Sequence, residues 1–142
     1  MVDLAAQHSD DPVMLRKISE RQDLSKKYLD NIFTSLRLAG LLRTVRGASG
    51  GYLLARDPAQ ITVAEVVKAL EGSVSPVDCI NHPELCERSH DCAARQLWSE
   101  LERAMFRVLE NRTLKDLVER HEELMCLAGD DGSDDTDKGD DS

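Results

Sequence analysis

Three cysteines, Cys79, Cys86 and Cys92, fall at C-x6-C-x5-C in the stretch CINHPELCERSHDC, within a chain of 142 residues whose one other cysteine is Cys126. Thiolates are soft ligands that suit iron-sulfur clusters and zinc, and three on one loop can close on a single centre where the backbone bends. Zinc sites favour C-x2-4-C pairs that wrap one ion tightly, and neither interval here is that short. A cluster is larger and tolerates wider gaps. The residues alone therefore leave three readings open: an iron-sulfur cluster (2Fe-2S or 4Fe-4S), a zinc site completed by His82 or His90, and metal-free redox thiols. Inert buried cysteines fit poorly with neighbours this polar. His90 and His82 are nitrogen candidates for a fourth ligand, with Glu84, Glu87 and Asp91 as oxygen alternatives, and spacing does not choose among them. Arg95 cannot ligate, because guanidinium stays protonated.

A second chemistry lies upstream. The formal charge of -9 looks hostile to nucleic acid, but residues 129–142, GDDGSDDTDKGDDS, hold seven Asp and one Lys, leaving -3 for the rest. That tail is low in complexity and is expected to be a disordered acidic appendage serving solubility. Between Arg16 and Arg56, nine Lys and Arg face three acids, a local balance of +6 able to meet phosphate. Within it, apolar Tyr28, Leu29, Ile32, Phe33 and Leu36 recur at helical spacing and leave Lys26, Lys27, Asp30 and Asn31 on the wet face. Asn can pair with adenine, Asp can accept from cytosine, and Lys can donate to guanine or phosphate. The plain alternative is a solvated helix face. Tyr28 could reach phosphate through its hydroxyl or could pack inward. Arg46 precedes Gly47, Gly50 and Gly51; glycine permits positive φ and close backbone approach, and an arginine there can enter a narrow minor groove. A tight hairpin with a solvent-facing arginine is the competing account.

The elements that must carry these groups follow in order. MVDLAA reads as the last turns of a helix, cut off by the polar HSDDP. VMLRKISERQDL predicts a short helix with Leu15 and Ile18 inward, and Ser25 then caps a second helix to about Ala39, closed by Gly40. Two β-type runs flank GASGG and predict a hairpin. Thr62 and Glu65 form a capping box for a helix with Val63, Val66, Val67 and Leu70 on one face, ended by Gly72. The cysteine stretch is a loop, since Pro76 and Pro83 block long helices. From Ala93 to about Asn111 an apolar stripe of Leu97, Trp98, Leu101, Met105, Val108 and Leu109 marks the longest helix, and Thr113 caps a last one. The stripe is either core or a dimer seam. No signal peptide, membrane span or nucleophile-base-orienter set is present, so a cytoplasmic protein that is not an enzyme, with no membrane partner and no small-molecule substrate, is expected.

Helix, helix, hairpin is the winged helix-turn-helix order, and here the chain resembles the IscR/NsrR-type (Rrf family) winged-helix iron-sulfur transcription regulators. The segments ISERQDLSKKYLDNIF, LRLAGLLRTVRGASGGYLLARD and ITVAEVVKALEG, the three-cysteine loop and QLW occur in family order across roughly residues 12–125. The resemblance implies a mainly α fold with a small β-hairpin wing and a long C-terminal dimerisation helix. It divides the chain into a DNA-binding domain at 1–72, whose first helix opens part-way along, a cluster-binding loop at 73–92, a dimerisation and C-terminal helical region at 93–128, and the tail. It further implies a homodimer, with Leu97, Trp98, Leu101, Met105 and Val108 in the seam. Double-stranded DNA would be bound at palindromic operators, with Lys26, Lys27, Tyr28, Asp30 and Asn31 in the major groove and the wing at the backbone or minor groove. An iron-sulfur cluster on Cys79, Cys86 and Cys92 would govern a repressor that senses iron-sulfur status, redox or nitric oxide. The family's iron-sulfur regulator carries a histidine where this chain has Arg95. Two rivals are a cluster-free thiol regulator and a zinc- or cluster-stabilised interaction or electron-transfer module without an operator.

Overall fold

The computed structural model describes residues 1–7 and 11–130, so the acidic tail beyond lies outside the described residues. Its elements are α1 (Val2–Ala6), α2 (Leu15–Gln22), α3 (Lys26–Leu38), the strands β1 (Leu42–Val45) and β2 (Gly51–Leu54), α4 (Val63–Glu71), α5 (Ala93–Glu110) and α6 (Leu114–Asp130). The fold is mainly helical with one antiparallel two-stranded hairpin.

Local chemistry sets the boundaries. Asp23, at φ 49, ends α2 in the left-handed region, and the hydroxyl of Ser25 accepts from the Tyr28 N–H at 3.2 Å to start α3. Gly40 ends α3 at φ 75, and the N–H groups of Gly40 and Leu41 return to the carbonyls of Arg37 and Leu36 at 3.0 and 2.9 Å, a Schellman closure. Thr62 and Glu65 satisfy each other's backbone N–H groups at 3.2 and 2.9 Å ahead of α4, and Thr113 and Asp116 do the same at 3.2 and 2.7 Å ahead of α6.

One boundary differs from the sequence expectation. Val13 does not begin α2. It pairs antiparallel with Tyr52, its N–H and carbonyl each bonded to Tyr52 at 3.0 and 2.9 Å, and the helix starts two residues later. In a first helical turn the Val13 N–H would have no intrahelical partner, whereas the hairpin edge satisfies both its backbone groups.

The core gathers Leu4 from α1, Ile18 from α2, Leu29, Phe33 and Leu36 from α3, Leu41 and Leu54 around the hairpin, Ile61, and Leu114 from α6. Phe33 meets Tyr52 edge-on, with ring centroids 4.8 Å apart, fixing α3 against β2. Backbone bonds from Leu114 to Ile61 and from Val63 to Arg112, at 2.9 and 2.8 Å, bring the start of α6 back to the start of α4, and α6 packs against α1. The C-terminal helix thus shares the core of the winged-helix unit. Leu70, expected inward on α4, is exposed, and Val66 and Ala69 pack on the core instead. No described helix is long and apolar enough to cross a membrane.

Candidate nucleic-acid interface and cysteine loop

α2 and α3 are joined by a three-residue turn whose geometry is fixed from α2: the Ser19 hydroxyl donates to the Leu24 carbonyl at 2.6 Å, and the Leu24 N–H donates to the Ser19 carbonyl at 3.2 Å. Leu29, Phe33 and Leu36 turn into the core, so helical periodicity forces Lys26, Lys27, Asp30 and Asn31 outward, and all four are exposed. Of the two positions the sequence leaves open for Tyr28, packed or facing outward, the structure has the outward one: it is 54% exposed. One turn from the cap, its side chain extends past the end of the packed face.

The wing carries Arg46 and Gly47 exposed at its tip. Gly47 sits at φ 118, which favours glycine. Gly50 and Gly51 have another use: a Cβ on Gly50 would run into the Val45 carbonyl oxygen, and one on Gly51 into the Val13 carbonyl. Their small size lets the hairpin close and lets the Val13 segment lie against it, so their structural role is inside the protein. The exposed α3 face and Arg46 are accessible from outside the protein.

The cysteine loop contains two single 3-10 turns, Asp78–Ile80 and Pro83–Leu85, the second opening on a proline, which the first position of a helical turn tolerates. Cys79, Cys86 and Cys92 are free thiols, all partly buried, and Cys126 is exposed on α6. His82 Nδ1 and Glu84 Oε1, two candidate fourth ligands, lie 3.1 Å apart and pair with each other, while His90 is exposed. By donor type three soft thiolates fit an iron-sulfur centre. Among the described residues no three His, Cys, Asp or Glu side chains form a group sized for a single metal ion. Arg95 has a role the sequence did not reveal. Its Nε donates to the Cys79 carbonyl at 2.9 Å, and its two terminal nitrogens donate to the carbonyls of Ser89 and Ile80, each at 3.4 Å. The only clue in the sequence is its place one turn into the helix that follows Cys92.

α5 presents two faces. Arg95 and Glu102, two helical turns apart, turn toward the loop, where Glu102 accepts from Ser75 at 2.7 Å. On an adjoining face Leu97, Trp98, Leu101 and Val108 form an apolar stripe, with Leu97 and Val108 61% and 64% exposed, and Met105 beside it partly buried. Leu109, grouped with that stripe by periodicity, is partly buried.

A family model described as Rrf2, iron-dependent transcriptional regulator, matches residues 1–120. The HTH-type transcriptional regulator IscR of Xenorhabdus nematophila is 40% identical over 124 residues, covering 87% of this chain and 75% of its own length. Among solved structures, CymR (YrzC), the global cysteine regulator of B. subtilis, superposes with a TM-score of 0.71 at 35% identity, covering 84% of this chain and 87% of that one. T. potens IscR gives 0.70 at 36% identity, over 87% and 80%.

Proposed function

This chain belongs to the Rrf2 family of DNA-binding transcriptional regulators, and from that premise we propose that it is a homodimeric repressor of palindromic operators whose input is the three-thiolate loop. The observation that carries the DNA-binding half is the exposed face of Lys27, Asp30 and Asn31 on α3, standing free beside a wing tipped by Arg46. Side chains of these types can reach base edges and phosphate from a helix laid in the major groove. The apolar stripe on α5 supplies the dimer seam, and two-fold symmetry then makes the operator palindromic.

For the input, the reading is an iron-sulfur cluster held by Cys79, Cys86 and Cys92. Donor softness supports it, as does the family's description as iron-dependent. A cluster with three thiolates and one weak ligand is open to oxygen and nitric oxide, which suits a sensor. A second reading, in which the thiols themselves are the redox input and no cluster forms, draws support from the three partly buried free thiols and from a relative titled a cysteine regulator. Anaerobic isolation followed by iron and sulfide determination and Mössbauer spectra separates the two. Iron and sulfide bound in the chain, and lost when the three cysteines become serine, is the expected result; zinc alone or no metal rules the cluster out. A gel shift with genomic fragments at moderate salt tests the operator, and a protein that retards no fragment has no such function.

A further inference from the structure

Thr34 stands on the outer surface of α3, and nothing in the packing calls for a threonine there. It is exposed and takes no part in the core. A β-branched side chain is a mediocre helix former, so an alanine or a glutamate at this position would favour the helix more. Its hydroxyl donates to the Asp30 carbonyl at 2.7 Å, four residues back in the same helix. In a regular α-helix that carbonyl already accepts from the N–H of residue 34, so the second bond rescues no group left without a partner. Back-bonding of this kind slightly destabilises a helix.

What the bond does is fix what Thr34 offers to its surroundings. With the hydroxyl turned onto the backbone and its proton committed there, the part of the side chain left without a polar partner is the γ-methyl. Leu29, Phe33 and Leu36 define the inward side of α3. Lys27, Asn31 and Thr34 follow one another at i, i+4 and i+7 along a single stripe on the outside, and all three are exposed. By helical rise Thr34 lies about 4.5 Å along the axis from Asn31, close to the roughly 3.4 Å of one base step. A helix that sets Asn31 against one base edge in the major groove therefore brings Thr34 to a neighbouring base pair. A free hydroxyl would discriminate poorly there, because it can donate or accept. A methyl discriminates well, since the apolar group on the major-groove edge of a base pair is the C5-methyl of thymine. We infer that Thr34 is a specificity-determining residue, its methyl packing on the C5-methyl of a thymine beside the base that Asn31 meets.

The inference deepens the reading of α3 as a major-groove helix and rests on it. The test starts from duplexes that the full-length protein, isolated anaerobically, enriches from a random-sequence pool. In an enriched duplex each thymine of one half-site is replaced in turn by deoxyuridine, which lacks only the methyl group, and Kd is measured by fluorescence anisotropy at fixed salt. The parent is expected to lose about fourfold in affinity at one thymine position, the scale of burying one methyl group. Thr34→Ser keeps the hydroxyl and removes the methyl. It is expected to bind the thymine duplex about fourfold more weakly and to make no distinction between thymine and uracil at that position. Thr34→Val keeps a methyl and removes the hydroxyl, and is expected to retain the preference. Valine also guards against a fold defect, since a variant that lost α3 would weaken on every duplex alike. With DNA binding intact, a parent indifferent to every uracil replacement overturns the inference. So does a serine variant that still prefers thymine at the position, or a valine variant that no longer does. A protein that enriches no duplex overturns the DNA-binding reading, and this inference with it.

Discussion

Asn31 and Arg46 are exposed groups of different chemistry, and on the proposed reading they would meet the duplex in different ways. An amide pairs bidentately with one base, so Asn31→Ala is expected to cost about 1–3 kcal/mol on the preferred operator and to relax the preference at one position. An arginine in the wing meets phosphate or a narrow groove on any sequence, so Arg46→Ala should weaken all fragments alike and lower the salt dependence by about one phosphate contact. Fluorescence anisotropy on matched and mutated fragments at several salt concentrations measures both; unchanged binding by the two variants removes Asn31 and Arg46 from the proposed DNA contacts. The outward direction of Lys27, Asp30 and Asn31 was legible because Leu29, Phe33 and Leu36 repeat at helical spacing. Tyr28 was not, because spacing tells which residues share a stripe but not where the packed surface under that stripe ends. Arg95 was hidden for a related reason: its acceptors are backbone carbonyls as many as sixteen residues away, and carbonyls leave no mark in a sequence.

Among the elements, α1 is pinned to α2 by Arg21, whose Nε and a terminal nitrogen donate to the two carboxylate oxygens of Asp3 at 3.1 and 2.7 Å, with Gln22 adding a third bond. Burial pushes the Asp3 carboxyl up, but the hydrogen bonds and charge of Arg21, with Gln22, outweigh it and hold the group below its ordinary range. A depressed folded pKa means that this stabilisation is present above the unfolded value of about 3.9 and is lost as the pH falls through the folded value. Acid unfolding followed by circular dichroism should therefore show Asp3→Asn losing stability at neutral pH and falling less steeply than the parent below pH 4; parallel curves would contradict the pairing. The wing rests on a close approach, so Gly51→Ala, driven into the Val13 carbonyl, is expected to lower stability by about 1–3 kcal/mol in urea melts and to weaken DNA binding without changing preference. A melt matching the parent's would show that the Val13 pairing gives way freely. Caps at Ser25, Thr62 and Thr113 could be read directly because each is settled within four residues. The pairing of Val13 with Tyr52 could not, since its partner lies far along the chain and local pattern favours the helix.

For the whole molecule, the thiol loop and the apolar stripe share α5, so on the proposed reading a change in the loop would bear on the helix that joins two copies. Leu101→Asp puts a charge in that stripe and is expected to leave a 15.8 kDa monomer in sedimentation experiments, with operator affinity reduced because the half-sites are no longer bound together. A dimer that survives this change would place the seam elsewhere. The central claim is that Cys79, Cys86 and Cys92 control how the pair grasps DNA. It is tested most directly by titrating one operator fragment, under nitrogen and at fixed salt, with metal-free and cluster-reconstituted protein, beside the triple serine variant treated identically. Reconstitution should change the parent's affinity about tenfold or more and leave the variant's unchanged; a parent that binds equally well in both states, or a variant that shifts as the parent does, would contradict the account.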